Sequence, residues 1–285
     1  MPIKPFNLYS PADLLSSVVF SSPHSGLFYS PDFLKSSVLD HIAIRTSEDA
    51  FVDKLFMSAP EFGSPLLAAN VPRAFVDLNR DVRDLDPILV DGAKTLGRNG
   101  RASSGLGVIP RLVGKNKPIY SSKISLVEAQ ARLLSFWHPY HLCLKSLLEA
   151  TRKKFGYVIL IDCHSMPHEC VNLGSGASPP PQIVLGDRFG AAANLDIVNQ
   201  VRLAFSESGF RVSRNMPYAG AYISCKYGKP QHNQHVIQVE IDRSLYMNEG
   251  TIQKSPNFFE LKAALRNVIS KIVAIGVTDS RLAAE

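Results

Sequence analysis

Residues 156–166 read GYVILIDCHSM, and this stretch decides the fold. Its apolar residues run without alternation from Tyr157 to Ile161, which is typical of a strand buried on both faces within an α/β sheet. The run ends in polar residues, among them Asp162 and His164. Open α/β sheets bind ligands at the carboxyl ends of their strands, so His164 lies where a site is expected. Taken alone, His164 is better explained as a core histidine that hydrogen-bonds with Asp162 or with a backbone carbonyl.

Predicted strands and helices alternate along the rest of the chain. The strands fall at residues 15–22, 66–71, 182–186, 211–214 and 236–241, and the helices at 46–57, 125–156, 194–209 and 258–275. Ser125 and Glu128 form a capping box, and Pro139 is expected to kink its helix or restart it. No internal repeat is present. The pattern predicts a single α/β domain over residues 1–285, with a mixed, mostly parallel central sheet flanked by helices.

The composition is that of an ordinary globular protein. Of 285 residues, 45% are hydrophobic and 20% charged, and the net charge is +6. The basic residues are scattered apart from the run 152–154, without the aromatic–basic interleaving that single-stranded nucleic acids require. We therefore expect no nucleic-acid partner, and the positive charge favours a small anionic substrate.

Cysteine usage and hydropathy predict a cytoplasmic protein. The four cysteines form no CxxC motif and are too few for a disulfide scaffold, which favours a reducing compartment. The N-terminal residues lack the apolar core of a signal peptide. No apolar run approaches the roughly 20 residues that a membrane-spanning helix needs, so no membrane association is expected.

A few residues have the chemistry of a metal site. His24 follows a predicted strand in the turn PHSG, Glu48 and Asp49 are adjacent acids, and His164 ends the central strand. Two imidazoles and one carboxylate with an open fourth position form a catalytic zinc site, and Glu240 would be available as a general base. Their spacing defines no pattern, however. A loop histidine, helix-opening acids and a core histidine explain the same residues.

Other common site patterns are absent. The segment GSGAS at 174–178 is not a nucleophile elbow, no P-loop occurs, and GLGVIP at 105–110 fails the dinucleotide fingerprint at its last position. Arg73, Arg80 and Arg83 lie among several aspartates, which suits either a surface salt-bridge network or a guanidinium that holds a carboxylate.

Six motifs, taken together and in this order, resemble the N-formylglutamate amidohydrolase family. They cover most of the chain, from about Val18 to Glu249, and the family is similar in fold and site to zinc carboxypeptidases and aspartoacylases. The motifs are PHSG at 23–26, SEDAFVDKLF at 47–56, VDLNRD at 76–81, DCHSM at 162–166, IVLGDRFG at 183–190 and HVIQVEIDRSLYMNE at 235–249.

The resemblance implies a site with one zinc ion. His24 and His164 match the two imidazole ligands, and Asp49 matches the acidic ligand. Glu48 remains an alternative to Asp49, because the two acids are adjacent and only one is needed. Glu240 matches the glutamate that acts as general base and acid.

The resemblance also implies which residues contact the substrate. Arg73, Asn79 and Arg80 match carboxylate-holding groups, and Arg80 is expected to help stabilise the developing oxyanion. Tyr222 and His235 are expected to line the pocket.

The implied reaction is zinc-dependent hydrolysis of the amide of an N-acyl acidic amino acid, with N-formyl-L-glutamate the leading candidate. The alternatives are a related deacylase or carboxypeptidase-like enzyme with another substrate, and a metal-binding or ligand-binding protein without turnover. The general-base glutamate argues against the latter, because metal binding does not require it.

Overall fold

A computed structural model describes residues 3–94, 103–171 and 179–277 of the protein. Within these ranges the chain forms a seven-stranded mixed sheet whose order is β1–β3–β2–β4–β7–β5–β6. The strands are β1 (Phe6–Tyr9), β2 (Val18–Ser22), β3 (Leu66–Ala69), β4 (Val158–Met166), β5 (Ile183–Gly186), β6 (Val212–Arg214) and β7 (Gln234–Asp242). Strands β3, β2, β4 and β7 are parallel to one another, whereas β1 and β5 pair antiparallel with their neighbours β3 and β7.

Helices cover both faces of this sheet. They are α1 (Pro31–Ser36), α2 (Val52–Leu55), α3 (Leu126–Arg132), α4 (His138–Phe155), α5 (Leu195–Ser206), α6 (Tyr222–Tyr227) and α7 (Phe258–Ile275). Short 3₁₀ turns lie at Ala43–Arg45, Ala59–Phe62, His168–Cys170, Arg188–Gly190, Pro230–His232 and Arg243–Leu245. Two-residue strands pair Val90–Asp91 with Ile124–Ser125, Leu112–Val113 with Lys117–Pro118, and Met247–Asn248 with Gln253–Lys254. Among the described helices, none is long and apolar enough to cross a bilayer.

The central strand is β4, which pairs with β2 on one side and β7 on the other. All nine of its residues are buried. Ile159 and Ile161 pack into the core beneath α5 and α7, whereas Val158 and Leu160 pack into the core beneath α3 and α4. The apolar run at 157–161 predicts a strand that is covered on both faces, and the structure confirms this prediction.

The long predicted helix before β4 is confirmed in its start, its restart and its end. Ser125 caps α3, with its Oγ accepting the backbone N–H of Glu128 at 3.1 Å. A π-helical turn over Leu133–Trp137 separates α3 from α4, and Pro139 lies in the first turn of α4. The π-helical turn, in which the backbone N–H of His138 donates to the carbonyl of Leu133, is the kind of irregularity that accommodates a proline within a helix. Gly156 ends α4 with a φ of 79°.

The helix predicted over residues 46–57 is wrong in most of its length. Only Val52–Leu55 is α-helical, and Phe51 before it has a left-handed backbone with a φ of 65°. The polar residues that suggested a helix start make tertiary contacts instead. For example, the backbone N–H of Asp49 donates to the carbonyl of His24 at 3.0 Å. These contacts form a turn that joins the segment to the end of β2.

Two predicted loops lie partly outside the described residues. The Gly/Ser/Lys/Arg-rich segment 91–122 is described at 91–94 and from residue 103 onward, where it forms the hairpin of Leu112–Val113 and Lys117–Pro118. Residues 172–178 of the segment 167–181, including the motif at 174–178, fall outside the described ranges.

Candidate metal centre and active site

The carboxyl ends of the parallel strands β2, β4 and β7 open into a cavity of about 550 Å³. His24 follows β2, His164 lies near the end of β4, and Glu240 pairs with His164 in the register of β4 and β7. Asp49 reaches the same cavity from the turn that precedes α2. The sheet therefore brings together four side chains that are far apart in sequence, at the edge where α/β sheets bind ligands.

His24, Asp49 and His164 form a compact, buried group. Their candidate ligand atoms all lie within 4.8 Å of one another. Oδ2 of Asp49 is 2.9 Å from Nδ1 of His164 and 3.3 Å from Nδ1 of His24. Both imidazoles thus present the same ring nitrogen to one carboxylate oxygen.

A second carboxylate contacts the far side of each imidazole. Nε2 of His24 is 2.8 Å from Oδ1 of Asp77, and Nε2 of His164 is 3.0 Å from Oδ2 of Asp162. A carboxylate that accepts the Nε2 proton leaves the lone pair on Nδ1, and such pairs orient metal-binding histidines. Asp162 is placed as the sequence suggested, whereas Asp77 was not singled out.

These residues fit a metal ion. Nδ1 of His24 is buried and has no hydrogen-bond partner among the described residues, which is costly for a polar atom unless something else satisfies it. Two imidazole nitrogens and one carboxylate oxygen are also the protein ligands of catalytic zinc sites that keep an open position. The buried group can therefore hold a metal ion.

The carboxylates of the group are held in their ionised form. Burial would raise the pKa of Asp49, but its close contacts with the imidazoles of His164 and His24 hold it well below its usual range. Burial would likewise raise the pKa of Asp77, but the guanidinium groups of Arg73 and Arg80 hold it well below its usual range. Both carboxylates are thus charged acceptors at neutral pH.

Glu48 has its own partners away from the histidines. Its carboxylate accepts from Nε and Nη2 of Arg45, at 2.9 and 3.1 Å, and from the hydroxyl of Tyr29 at 3.1 Å. Of the two adjacent acids, only Asp49 contacts the imidazoles. The geometry favours Asp49 as the acidic ligand.

Glu240 lies in the same cavity but outside the His–Asp–His group. Its Oε1 accepts a hydrogen bond from Nε2 of Gln238 at 2.7 Å. Burial raises the pKa of Glu240 to about 7, although the neighbouring His164 opposes the shift. A carboxyl group that titrates near neutral pH can both accept and donate a proton, as a general base and acid must.

Arg73 and Arg80 both line the cavity, with different surroundings. Arg73 is partly exposed, and its Nε donates to Oδ2 of Asp77 at 3.0 Å. Arg80 is buried, and it donates from Nε to the carbonyl of Leu106 at 3.0 Å and from Nη1 to that of Asn79 at 2.7 Å. Neither belongs to an exposed salt-bridge network.

Asn79 contacts the His–Asp–His group directly. Its Oδ1 accepts the backbone N–H of Ile223 at 2.7 Å, and its Nδ2 lies 3.2 Å from Nε2 of His164. If Nε2 gives its proton to Asp162, it has no lone pair to accept from the amide. The amide hydrogens of Asn79 then remain available to a ligand in the cavity.

The structure places two predicted pocket residues elsewhere. His235 lies at the start of β7 and pairs with Ile159, about 16 Å along the strand from Glu240. Tyr222 begins α6 and packs against the rings of Trp137 and His141 rather than lining the cavity. Both predictions are corrected, because strand register and helix packing direct these side chains away.

Sequence reasoning missed several residues that line the cavity. Tyr218 lies on the loop after β6, Gln238 precedes Glu240 on the same strand face, and Arg243 follows β7. The alternation of β7 could have indicated Gln238. Only tertiary contacts identify the other two.

Comparisons with known proteins agree with this geometry. A sequence model of the N-formylglutamate amidohydrolase family matches residues 16–247. The chain belongs to the N-formylglutamate amidohydrolase family. This confirms the resemblance carried by the six motifs, and the matched range includes the His–Asp–His group and Glu240.

Relatives of this family member cover nearly its whole length. The N-formylglutamate deformylase of Pseudomonas putida is 28% identical over 235 residues, which are 81% of this chain and 82% of that protein. The enzyme of the same name from Pseudomonas aeruginosa is 25% identical over 264 residues, 91% of this chain and 93% of that protein. The crystal structure of N-formylglutamate amidohydrolase from Ralstonia eutropha superimposes with a TM-score of 0.90 at 34% identity, covering 96% of this chain and 99% of that one.

Proposed function

We propose that the protein hydrolyses the amide bond of N-formyl-L-glutamate to formate and L-glutamate. The observation that carries the proposal is the His24–Asp49–His164 group with Glu240 beside it in one cavity. The relatives bearing the names N-formylglutamate deformylase and amidohydrolase support the choice of substrate. One water adds across the C–N bond, so that formate receives its oxygen and glutamate leaves as the amine.

The metal in this proposal is one zinc ion, held by His24, His164 and Asp49. Bound zinc would lower the pKa of a water molecule towards about 7 and polarise the formyl carbonyl. Asp77 and Asp162 keep the two imidazoles in the tautomer that has a lone pair on Nδ1. The protein thus provides preformed metal ligands, and the hydrogen bonds of Asp77 and Asp162 to Nε2 of the two imidazoles fix the orientation of those rings.

Glu240 carries the proton transfers. It takes a proton from the attacking water and later delivers one to the leaving nitrogen, which its pKa of about 7 suits. Gln238 holds Oε1, which limits rotation of the carboxylate. A metal-binding or ligand-binding protein without turnover would not require this buried, oriented carboxyl group.

Arg73, Asn79 and Arg80 bind the carboxylates of the glutamate moiety. The guanidinium of Arg73 is partly exposed in the cavity and beside the metal-binding group, where a bidentate contact with a carboxylate is possible. Asn79 and Arg80 follow Arg73 closely in the sequence, and both line the same cavity. An arginine in this position also stabilises negative charge that develops on the formyl oxygen.

Metal analysis combined with formate release from a substrate panel tests the proposal. The panel contains N-formyl derivatives of glutamate, glutamine and aspartate, together with N-acetylglutamate. We expect about one zinc per chain, with the highest kcat/KM on N-formylglutamate. Turnover without metal would refute the zinc assignment, and stoichiometric metal without turnover on any substrate would favour a binding protein.

A further inference from the structure

We infer that Arg243 is a positioning residue that fixes how Asp49 presents its carboxylate to the metal. It binds one carboxylate oxygen, so that only the other faces the two imidazoles. The inference rests on the metal centre of the proposed function and adds a residue to it. Arg243 is almost fully buried and begins the 3₁₀ turn directly after β7.

The two oxygens of Asp49 have different partners. Oδ2 faces Nδ1 of His164 at 2.9 Å and Nδ1 of His24 at 3.3 Å. Oδ1 instead accepts from Nη2 of Arg243 at 3.1 Å and lies 3.4 Å from the hydroxyl of Ser165. Because Oδ1 is engaged, the carboxylate can offer only Oδ2 to a metal ion between the imidazoles.

Arg243 makes three contacts with three parts of the site. Besides Asp49, Nε donates to Oγ of Ser165 at 3.2 Å, and Nη1 donates to the carbonyl of Thr46 at 3.0 Å. These acceptors lie on the turn before α2 and on β4, and Arg243 itself extends from β7. The guanidinium thereby ties the irregular Asp49 turn to the two central strands.

Lysine cannot replace this arrangement. Its single ammonium group keeps the positive charge but lacks the planar fork that reaches divergent acceptors at fixed angles. The substitution Arg243→Lys therefore leaves the charge near the metal unchanged while it frees Oδ1 of Asp49. A change in metal affinity then reports the geometry of the carboxylate rather than a change in electrostatic repulsion.

The experiment measures zinc affinity by competition with a chromophoric chelator in the wild type and in Arg243→Lys. Loss of an outer contact to a metal ligand typically weakens metal affinity by about 10–100-fold, and we expect a loss in this range. The matched control is Arg214→Lys. Arg214 also makes a two-nitrogen contact with a buried aspartate, Asp187, but outside the cavity. The control should bind zinc as tightly as the wild type.

Ser165→Ala provides a second variant if Arg243→Lys does not fold. It removes the hydroxyl that contacts both Oδ1 of Asp49 and Nε of Arg243, and it should weaken zinc binding by about tenfold, the lower end of the range for such contacts. Wild-type zinc affinity in folded Arg243→Lys, or in folded Ser165→Ala if that variant has to be used, overturns the inference. An equal loss in Arg214→Lys also overturns it. If the wild type itself binds no zinc, the proposed metal centre fails instead.

Discussion

Replacing Glu240 with glutamine should separate metal binding from catalysis. The substitution keeps the size of the side chain but removes the carboxylate's charge and its ability to exchange a proton. Glu240 is buried, and it contributes no atom to the His–Asp–His group. We therefore expect Glu240→Gln to keep about one zinc per chain.

The expected loss of activity follows from the two proton transfers assigned to this residue. General acid–base catalysis typically contributes about 10²–10⁴-fold, which corresponds to roughly 3–5 kcal/mol of the barrier. A value near the upper end is expected, because one carboxyl group serves both steps. A glutamine amide can still accept a hydrogen bond from Gln238, so the local structure should persist.

The assay is kcat for formate release, measured beside zinc content and the thermal midpoint. Glu48→Gln is the matched control, since it makes the same change at another buried glutamate whose partners are Arg45 and Tyr29. It should keep zinc and activity within a few-fold, although its stability falls. Wild-type turnover in Glu240→Gln would place the base elsewhere, and loss of zinc would make Glu240 a ligand.

Three further predictions concern a metal ligand, a substrate-binding arginine and a buried histidine. Asp49→Asn should lose both zinc and activity; retention of full zinc would exclude it as a ligand. Arg80→Lys should reduce the ratio of kcat/KM for N-formylglutamate over N-formylglutamine by about tenfold, since a lysine cannot both hold the carbonyls of Leu106 and Asn79 and reach a substrate carboxylate; an unchanged ratio would assign Arg80 to structure. Burial lowers the pKa of His141 to about 4, so the unfolded state takes up its proton first as pH falls below about 6.5. The free energy of unfolding, measured with urea, should fall between pH 7 and pH 5 by about 2 kcal/mol more in the wild type than in His141→Gln. Equal falls in the two proteins would contradict the lowered pKa of His141.

The sequence was most informative where the local pattern and the tertiary structure favour the same secondary structure. The run from Val158 to Ile161 needs cover on both faces, and the sheet provides it. Ser125 and Pro139 act within their own helix, so their effects could be inferred without knowledge of the rest of the chain. The terminal helix was predicted with its observed bounds, Phe258–Ile275, for the same reason.

The sequence was least informative where distant residues decide the local structure. The turn at 46–49 resembles a helix start, but its contacts with the end of β2 and with Arg243 draw it out of a helix. Asp77 and Arg243 act through side chains more than 50 residues away, which no local pattern records. The resemblance assigns His235 to the pocket, but His235 lies at the opposite end of β7 from the site, and its side chain alternates to the face opposite that of Glu240.

The position of β7 within the sheet has a consequence for synthesis on the ribosome. This strand, the last of the sheet to be translated, lies between β4 and β5 and joins the two halves of the sheet. Until residue 242 has emerged, β4 and β5 each have an unpaired edge that can associate with another chain. Glu240 and Arg243 arrive with the same strand end. A nascent chain therefore acquires Glu240, the proposed general base, only when its sheet closes, and on this proposal an incomplete chain is inactive as well as prone to aggregate.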